Sequence, residues 1–254
     1  LPAVEAMGSG TALVATDGGA LPEVTGIDGE TVLRCKAGDV ESLRLAIEQG
    51  RARLARSVAA LVDRQTAADV AELIDNPVRY LRRQIGSPAR NQLELNTLAM
   101  LRAAASDPDA AASLMDERWQ NVLGRDRAAW VWAVIGKQAA LKLSNDAPTY
   151  YKRAWAQLRG TPREAGWSDD TLAWAARSAL RAARNGDRWA LVLRAIDSMS
   201  DSERADTTWI YWRARALAGA AAEGDSGDAQ REQARELFAS VAGPYSFYGK
   251  LAAE

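Results

Sequence analysis

The sequence has 254 residues, 48% of them hydrophobic and 26% charged, with a net charge of −1, a composition that predicts a globular protein and excludes a disordered chain. No run of about 18 apolar residues occurs, which leaves nothing from which to build a membrane-spanning helix. The single cysteine, Cys35, excludes an internal disulfide, and the absence of histidine excludes an imidazole base, a Ser-His dyad and histidine zinc sites.

The sequence opens Leu1-Pro2-Ala3-Val4, with no initiator Met, basic segment or apolar signal core, so any signal peptide is expected either to have been removed or to lie outside this sequence. Residues 1–50 hold eight acidic and three basic side chains, a balance of −5, which leaves +4 for residues 51–254. The first 79 residues contain no Phe, Trp or Tyr, whereas all nine tryptophans lie between Trp119 and Trp212. These shifts predict two modules, residues 1–50 and 51–254, joined near residues 48–52.

In the first module Thr11–Thr16 is a short β-type run, and Asp17-Gly18-Gly19-Ala20 is a turn leading to Leu21-Pro22-Glu23-Val24. A second β-type run, Glu30–Arg34, precedes Gly38-Asp39 and the helical spacing of Val40, Leu43 and Ile47, with Asp39 as N-cap. The alternation predicts a short α/β fragment. A glycine turn between a strand and a helix brings main-chain N–H groups close to a phosphate in some proteins and merely reverses the chain in most.

Several landmarks come in order: Glu5-Ala6-Met7-Gly8-Ser9-Gly10, Ala12–Thr16, Gly18-Gly19-Ala20-Leu21-Pro22-Glu23-Val24, Asp28-Gly29-Glu30 and Ala37-Gly38-Asp39. Together they resemble part of the donor-binding domain of nucleotide-sugar glycosyltransferases with two Rossmann-like domains. The resemblance implies that Glu5 is the second glutamate of a paired-glutamate motif holding the donor ribose, and that Gly18 and Gly19 approach the diphosphate. The first glutamate would fall before Leu1. Without an opposing pocket wall, Glu5 reads better as a solvated helix residue than as a ligand to the ribose, and fifty residues do not build a two-domain crevice. Transfer is therefore not expected from this chain.

From Arg51 onward the chain is rich in Ala, Leu and Arg and predicts helices. Starts are marked by Asp75-Asn76-Pro77, Ser106-Asp107-Pro108, Asn145-Asp146-Ala147-Pro148, Ser168-Asp169-Asp170 and Ser200-Asp201. Buried stripes are predicted at Leu172, Ala176, Ala179, Leu180 and Ala183, at Trp189, Val192, Leu193 and Ile196, and at Ala205, Trp209, Trp212 and Ala216. Short polar connections make the helices antiparallel neighbours, and many in succession predict an α-solenoid or superhelix of helix pairs. Trp155 and Trp189 are 34 residues apart and Trp174 and Trp209 are 35 apart, close to a helix-pair repeat, but the flanking residues do not repeat cleanly and any repeat is degenerate. The indoles read either as a sugar-stacking surface or as core, and the positions of Trp189, Trp209 and Trp212 among alanines favour core. The arginines are spread along every helix, which argues against a nucleic-acid footprint.

The runs Asp75–Leu81, Ser106–Ala112, Gly186–Ala190 with Ala195–Met199, Trp209–Leu217 and Ser246–Ala253 resemble the superhelical, non-catalytic domain of soluble lytic murein transglycosylases. That resemblance implies peptidoglycan glycan strands as partner, a periplasmic location and a lyase as the parent enzyme, whereas the glycosyltransferase resemblance of residues 1–50 implies a cytoplasmic location. The family's catalytic Glu-Ser pair precedes a Gly-Leu-Met-Gln segment, which is missing here, and Glu41-Ser42 is not expected to replace it. Without that glutamate no acid protonates the glycosidic oxygen. No catalytic residue, metal or cofactor is expected, and a helical-repeat adaptor for protein partners is the rival reading. Far-UV circular dichroism should be dominated by helix; strand content above about a quarter would overturn the fold expectation.

Overall fold

The computed structural model describes residues 14–16, 32–35, 52, 56, 64–84, 90–183 and 187–254, and the described chain is mainly helical. It divides into two compact units, Leu1–Tyr80 and Leu81–Glu254. The predicted helix over Val40–Ile47 and the junction near residues 48–52 lie outside the described residues, save Ala52.

In the first unit, β1 (Val14–Thr16) pairs in parallel with β2 (Leu33–Cys35), Val14 opposite Leu33 and Thr16 opposite Cys35. Both strands fall within one residue of the predicted β-type runs and are shorter. Beside β2, Val32 is buried. Helix α1 (Arg64–Asp75) buries Val70 and Leu73, with Gln65 donating to the buried Asp69 carboxylate at 3.1 Å. Asn76 accepts from the Arg79 N–H at 3.1 Å and so caps α2 (Pro77–Arg83), as Asp75-Asn76-Pro77 predicts.

The second unit continues with α3 (Arg90–Ser106), then α4 (Pro108–Leu114), a π-helical turn (Met115–Trp119) and α5 (Gln120–Leu123). Helices α6 (Arg125–Leu141), α7 (Ala147–Gln157), α8 (Asp169–Ala182) and α9 (Asp187–Asp197) follow. The chain ends with α10 (Asp201–Arg204), α11 (Thr207–Ala220), α12 (Asp228–Val241) and α13 (Phe247–Ala252). Asp107, Ser168 and Ser200 cap α4, α8 and α10 through their side chains, as predicted. Asp146 caps α7 in position only; its N–H donates to the Ser144 hydroxyl instead. Asp206 and Ser246, which the sequence reading passed over, cap α11 and α13.

Sequence neighbours pack side by side: α6 on α7, α8 on α9, α11 on α12, with α3 and α8 both against α6. Alanine makes this closeness possible, because Ala128, Ala129, Ala133, Ala139, Ala154 and Ala176 are fully buried and add little girth. Large rings fill the spaces left. The Tyr151 ring lies on Gly136, where an added Cβ would stand 2.9 Å from Cδ2, and the Trp189 indole lies on Gly219, where an added Cβ would run into Nε1.

Several side-chain bonds then join positions about one helix pair apart. Lys142 donates to the Ser106 carbonyl, Arg153 to Asp116 at 2.6 Å, and Lys152 pairs with Asp187. Lys137 pairs with Asp170 at 2.5 Å, Arg181 donates to the Ser144 carbonyl at 2.5 Å, and the Trp212 indole donates to the Tyr248 hydroxyl at 3.3 Å. These partners are separated by 33 to 37 residues in sequence.

Burial corrects the tryptophan expectation in part. Trp119, Trp132, Trp155, Trp167 and Trp209 are buried. Trp189 and Trp212, predicted as core, are only half-buried, as are Trp130, Trp174 and Leu180. A helical stripe identifies the inward direction but not whether another helix covers its whole length. Trp132→Ala should therefore cost about 3–5 kcal/mol of unfolding free energy, and Trp212→Ala about 1–2 kcal/mol, measured by denaturant titration. Equal costs would overturn this assignment.

Candidate functional site

The three residues singled out for donor binding, Glu5, Gly18 and Gly19, all lie outside the described residues. What is described near them in sequence is a strand pair: β1 ends at Thr16, two positions before Gly18, and its parallel pairing with β2 leaves the residues between the strands to make the connection. Those residues suffice for a crossover between parallel strands.

The second unit gathers its polar chemistry around aromatic rings. Tyr151, Trp155 and Trp167 form one cluster, with centroids 5.9 Å apart for Tyr151–Trp155, 5.4 Å for Trp155–Trp167 and 6.5 Å for Tyr151–Trp167. The Tyr151 hydroxyl donates to the Thr171 carbonyl at 2.9 Å, and burial pushes its pKa well up, with Asp170 adding to the effect. Next to it Tyr150 stacks on Trp132 at 5.9 Å and donates to Asp109 at 2.8 Å; burial and the Asp109 carboxylate hold this phenol protonated. The Nε1–H groups of Trp132, Trp155 and Trp167 are buried with no acceptor among the described residues.

Guanidinium groups lie on these rings. Arg153 stands 4.8 Å from the Trp132 centroid and is also held by Asp116; Arg194 stands 5.2 Å from the Trp155 centroid. Arg177 sits between Trp174 and Trp209 at 5.2 and 5.4 Å. Cation–π contacts of this kind contribute roughly 0.5–1 kcal/mol at exposed positions. A second aromatic group lies at the C-terminal end, where Tyr211 contacts Trp212, Phe238 and Tyr248, and Phe247 contacts Tyr248. Phe247 is 70% exposed there.

Sequence reading found the rings but not the cations on them, because Arg194 and its ring are 39 positions apart and belong to different helices. The half-recognised repeat near 35 residues was the available signal. Among the described residues no group of three or more potential metal ligands converges, and no described helix is long and apolar enough to cross a membrane.

The Asp169 carboxyl has a displaced pKa. Partial burial pushes it up, but the Ser200 N–H at 2.8 Å, the Ser200 hydroxyl at 2.7 Å and Arg163 at 3.7 Å outweigh this and leave it lowered. A lowered carboxyl is a poor proton donor for glycosidic cleavage, which needs a raised one. Its physical role is to join the start of α8 to the start of α10.

No protein-family model matches the chain. Over 43 residues it is 58% identical to the MMP alpha-(1->4)-mannosyltransferase of Mycolicibacterium hassiacum, a stretch that is 17% of this chain and 10% of that protein. The chain thus spans about a tenth of the length of the curated relative it matches.

Because the folded-state pKa of Asp169 is lowered, its contribution to stability is present above the unfolded value near 3.9 and is lost as pH falls through the folded value. Asp169→Asn should cost about 1 kcal/mol at pH 7 by denaturant titration, with the difference from wild type shrinking toward acid pH. A difference independent of pH would refute the carboxylate's role.

Proposed function

We propose that residues 51–254 are a non-catalytic helical scaffold of the soluble lytic murein transglycosylase type, working against peptidoglycan glycan strands in the periplasm. In this reading the helix pairs of residues 90–254 stack as an α-solenoid. The observation that carries it is the recurrence of side-chain bonds between positions 33 to 37 residues apart, from Lys142 with Ser106 to Trp212 with Tyr248. A closed bundle has no reason to repeat one sequence separation along its length, whereas a stack of similar pairs does. Exposed rings and ring-stacked arginines supply the chemistry for a saccharide face and its anionic substituents.

A second reading is favoured by a specific finding: the 43-residue match to a mannosyltransferase. Residues 1–50 are then a short α/β fragment of a nucleotide-sugar donor domain, with Glu5 at the ribose and Gly18 and Gly19 at the diphosphate of a mannosyl donor. The parallel pairing of β1 and β2 fits this reading, since Rossmann-like domains use parallel strands.

Purified peptidoglycan sacculi separate the two. The scaffold reading expects the chain to sediment with sacculi and to release no anhydro-muropeptides detectable by mass spectrometry. Failure to sediment, together with calorimetric binding of a nucleoside diphosphate mannose that Glu5→Ala abolishes, would replace it with the glycosyltransferase reading.

A further inference from the structure

Three helices of the second unit share one line of aromatic rings. On α8 the exposed Arg177 guanidinium stands between the half-buried Trp174 indole at 5.2 Å and Trp209 of α11 at 5.4 Å. One turn further along α11, the half-buried Trp212 meets Tyr248 of α13, ring to ring at 6.3 Å and through its N–H to the Tyr248 hydroxyl at 3.3 Å. Phe247 packs edge-on against Tyr248 at 5.1 Å and is 70% exposed. Each contact joins a ring to the next, so the line is continuous from α8 across α11 to α13.

Two features set this line apart from ordinary packing. It carries uncompensated charge: Arg177, and Lys250 one turn along α13 from Phe247, make no ion pair among the described residues, although Arg204, Arg213, Arg231 and Arg235 on the intervening helices each hold an acid. Its exposed large apolar side chains are also rings, Phe247 and the fully exposed Tyr245, whereas the exposed leucines Leu98, Leu141 and Leu143 lie on or beside α3 and α6. The Tyr248 hydroxyl accepts the Trp212 N–H and so keeps its own proton for a further acceptor.

We propose that this line is a docking strip for an anionic glycan strand, with Trp174, Trp212, Tyr248 and Phe247 stacking on sugar rings and Arg177 and Lys250 meeting carboxylates toward its two ends. A sugar ring lays its C–H face on an aromatic face while its hydroxyls seek polar groups at the ring edges, which the phenol and the ammonium supply. Neighbouring helix axes stand about 8–10 Å apart, so a line across three helices is longer than one sugar and fits a strand. Two cations over that length match a strand that carries an acid on only some of its sugars. A nucleic-acid strand brings a phosphate with every base and would leave most of its charge unmet. The choice of a glycan rests on the scaffold reading above; the continuity of rings and cations does not.

The test uses the full chain and three soluble probes: peptide-free strands of alternating N-acetylglucosamine and N-acetylmuramic acid, chitohexaose as an uncharged strand, and single-stranded oligothymidylate. Binding is followed by calorimetry and by the indole N–H signals of a proton–nitrogen correlation spectrum, where Trp174→Phe and Trp212→Phe assign two of the nine. The acidic strands should shift those two signals saturably, bind more tightly than chitohexaose, and weaken as they are shortened to the disaccharide. Phe247→Ala should weaken binding at least about fivefold, and Arg177→Gln with Lys250→Gln should lower it to the chitohexaose level. All three side chains are exposed, so circular dichroism should not change. Shifts confined to other indoles, a disaccharide bound as tightly as a strand, or binding untouched by Phe247→Ala would overturn the strip. Chitohexaose bound as tightly as the acidic strand, or oligothymidylate bound more tightly, would overturn the anionic glycan as its occupant, and so would a dimer that Phe247→Ala dissociates. Should an indole variant fail to fold, Phe247→Ala still decides. Sedimentation with sacculi that survives Phe247→Ala together with Arg177→Gln would sink the strip and leave the scaffold reading standing; strand binding at the strip without sedimentation would do the reverse.

Discussion

Tyr151 is the side chain on which the centre of the second unit depends. Its ring lies flat against Gly136 of α6, touches Trp155 and Trp167, and its hydroxyl reaches the Thr171 carbonyl at the start of α8. Three helices and one loop thus meet at one residue, 1% exposed. The arrangement demands glycine at 136, since a methyl group there would meet the ring at 2.9 Å, and the buried Tyr151 hydroxyl finds in the Thr171 carbonyl the acceptor it needs. Small residue against large ring is repeated at Gly219 and Trp189, so the packing rule is general to the unit.

Such packing makes stacked pairs of helices feasible, and polar side chains then set their register. Lys137–Asp170, Lys152–Asp187 and Arg153–Asp116 are all partly exposed pairs, individually worth at most about 1 kcal/mol. Their significance is geometric. Each fixes how far one helix slides along the helix a pair earlier, and with the apolar interface made of near-featureless alanine, few other groups can do so. The π-helical turn at Met115–Trp119 belongs to the same logic, for its extra residue lies in the stretch that presents Asp116 to Arg153 and buries Trp119.

How much of this was legible depends on the range of the interaction. Local signals were legible: Asn76, Asp107, Ser168 and Ser200 each cap the helix they announce, because capping joins residues two or three apart. Inward direction was legible too, as Trp209 shows. Depth was not, since Trp189 and Trp212 share its spacing and yet are half-buried; their cover depends on neighbouring helices that a 3.6-residue period does not describe. Ser246 was passed over as a cap because the segment before it, Gly243-Pro244-Tyr245, has no apolar periodicity to mark a helix start. The candidate donor residues Glu5, Gly18 and Gly19 rest on landmark order alone, to which the described structure adds only the parallel strand pair beside them.

Arg153 and Arg194 both cover an indole, but through different helix contacts. Arg153 covers Trp132, 21 positions earlier on the first helix of its own pair, whereas Arg194 covers Trp155, 39 positions earlier on the second helix of the pair before. Cations therefore reach rings both within a pair and between pairs, so a fixed sequence separation does not locate them. What the two places share is the packing rule beneath them: helices brought close by alanine leave gaps that only large rings fill, and the rings then offer their faces to whichever arginine lies across the seam.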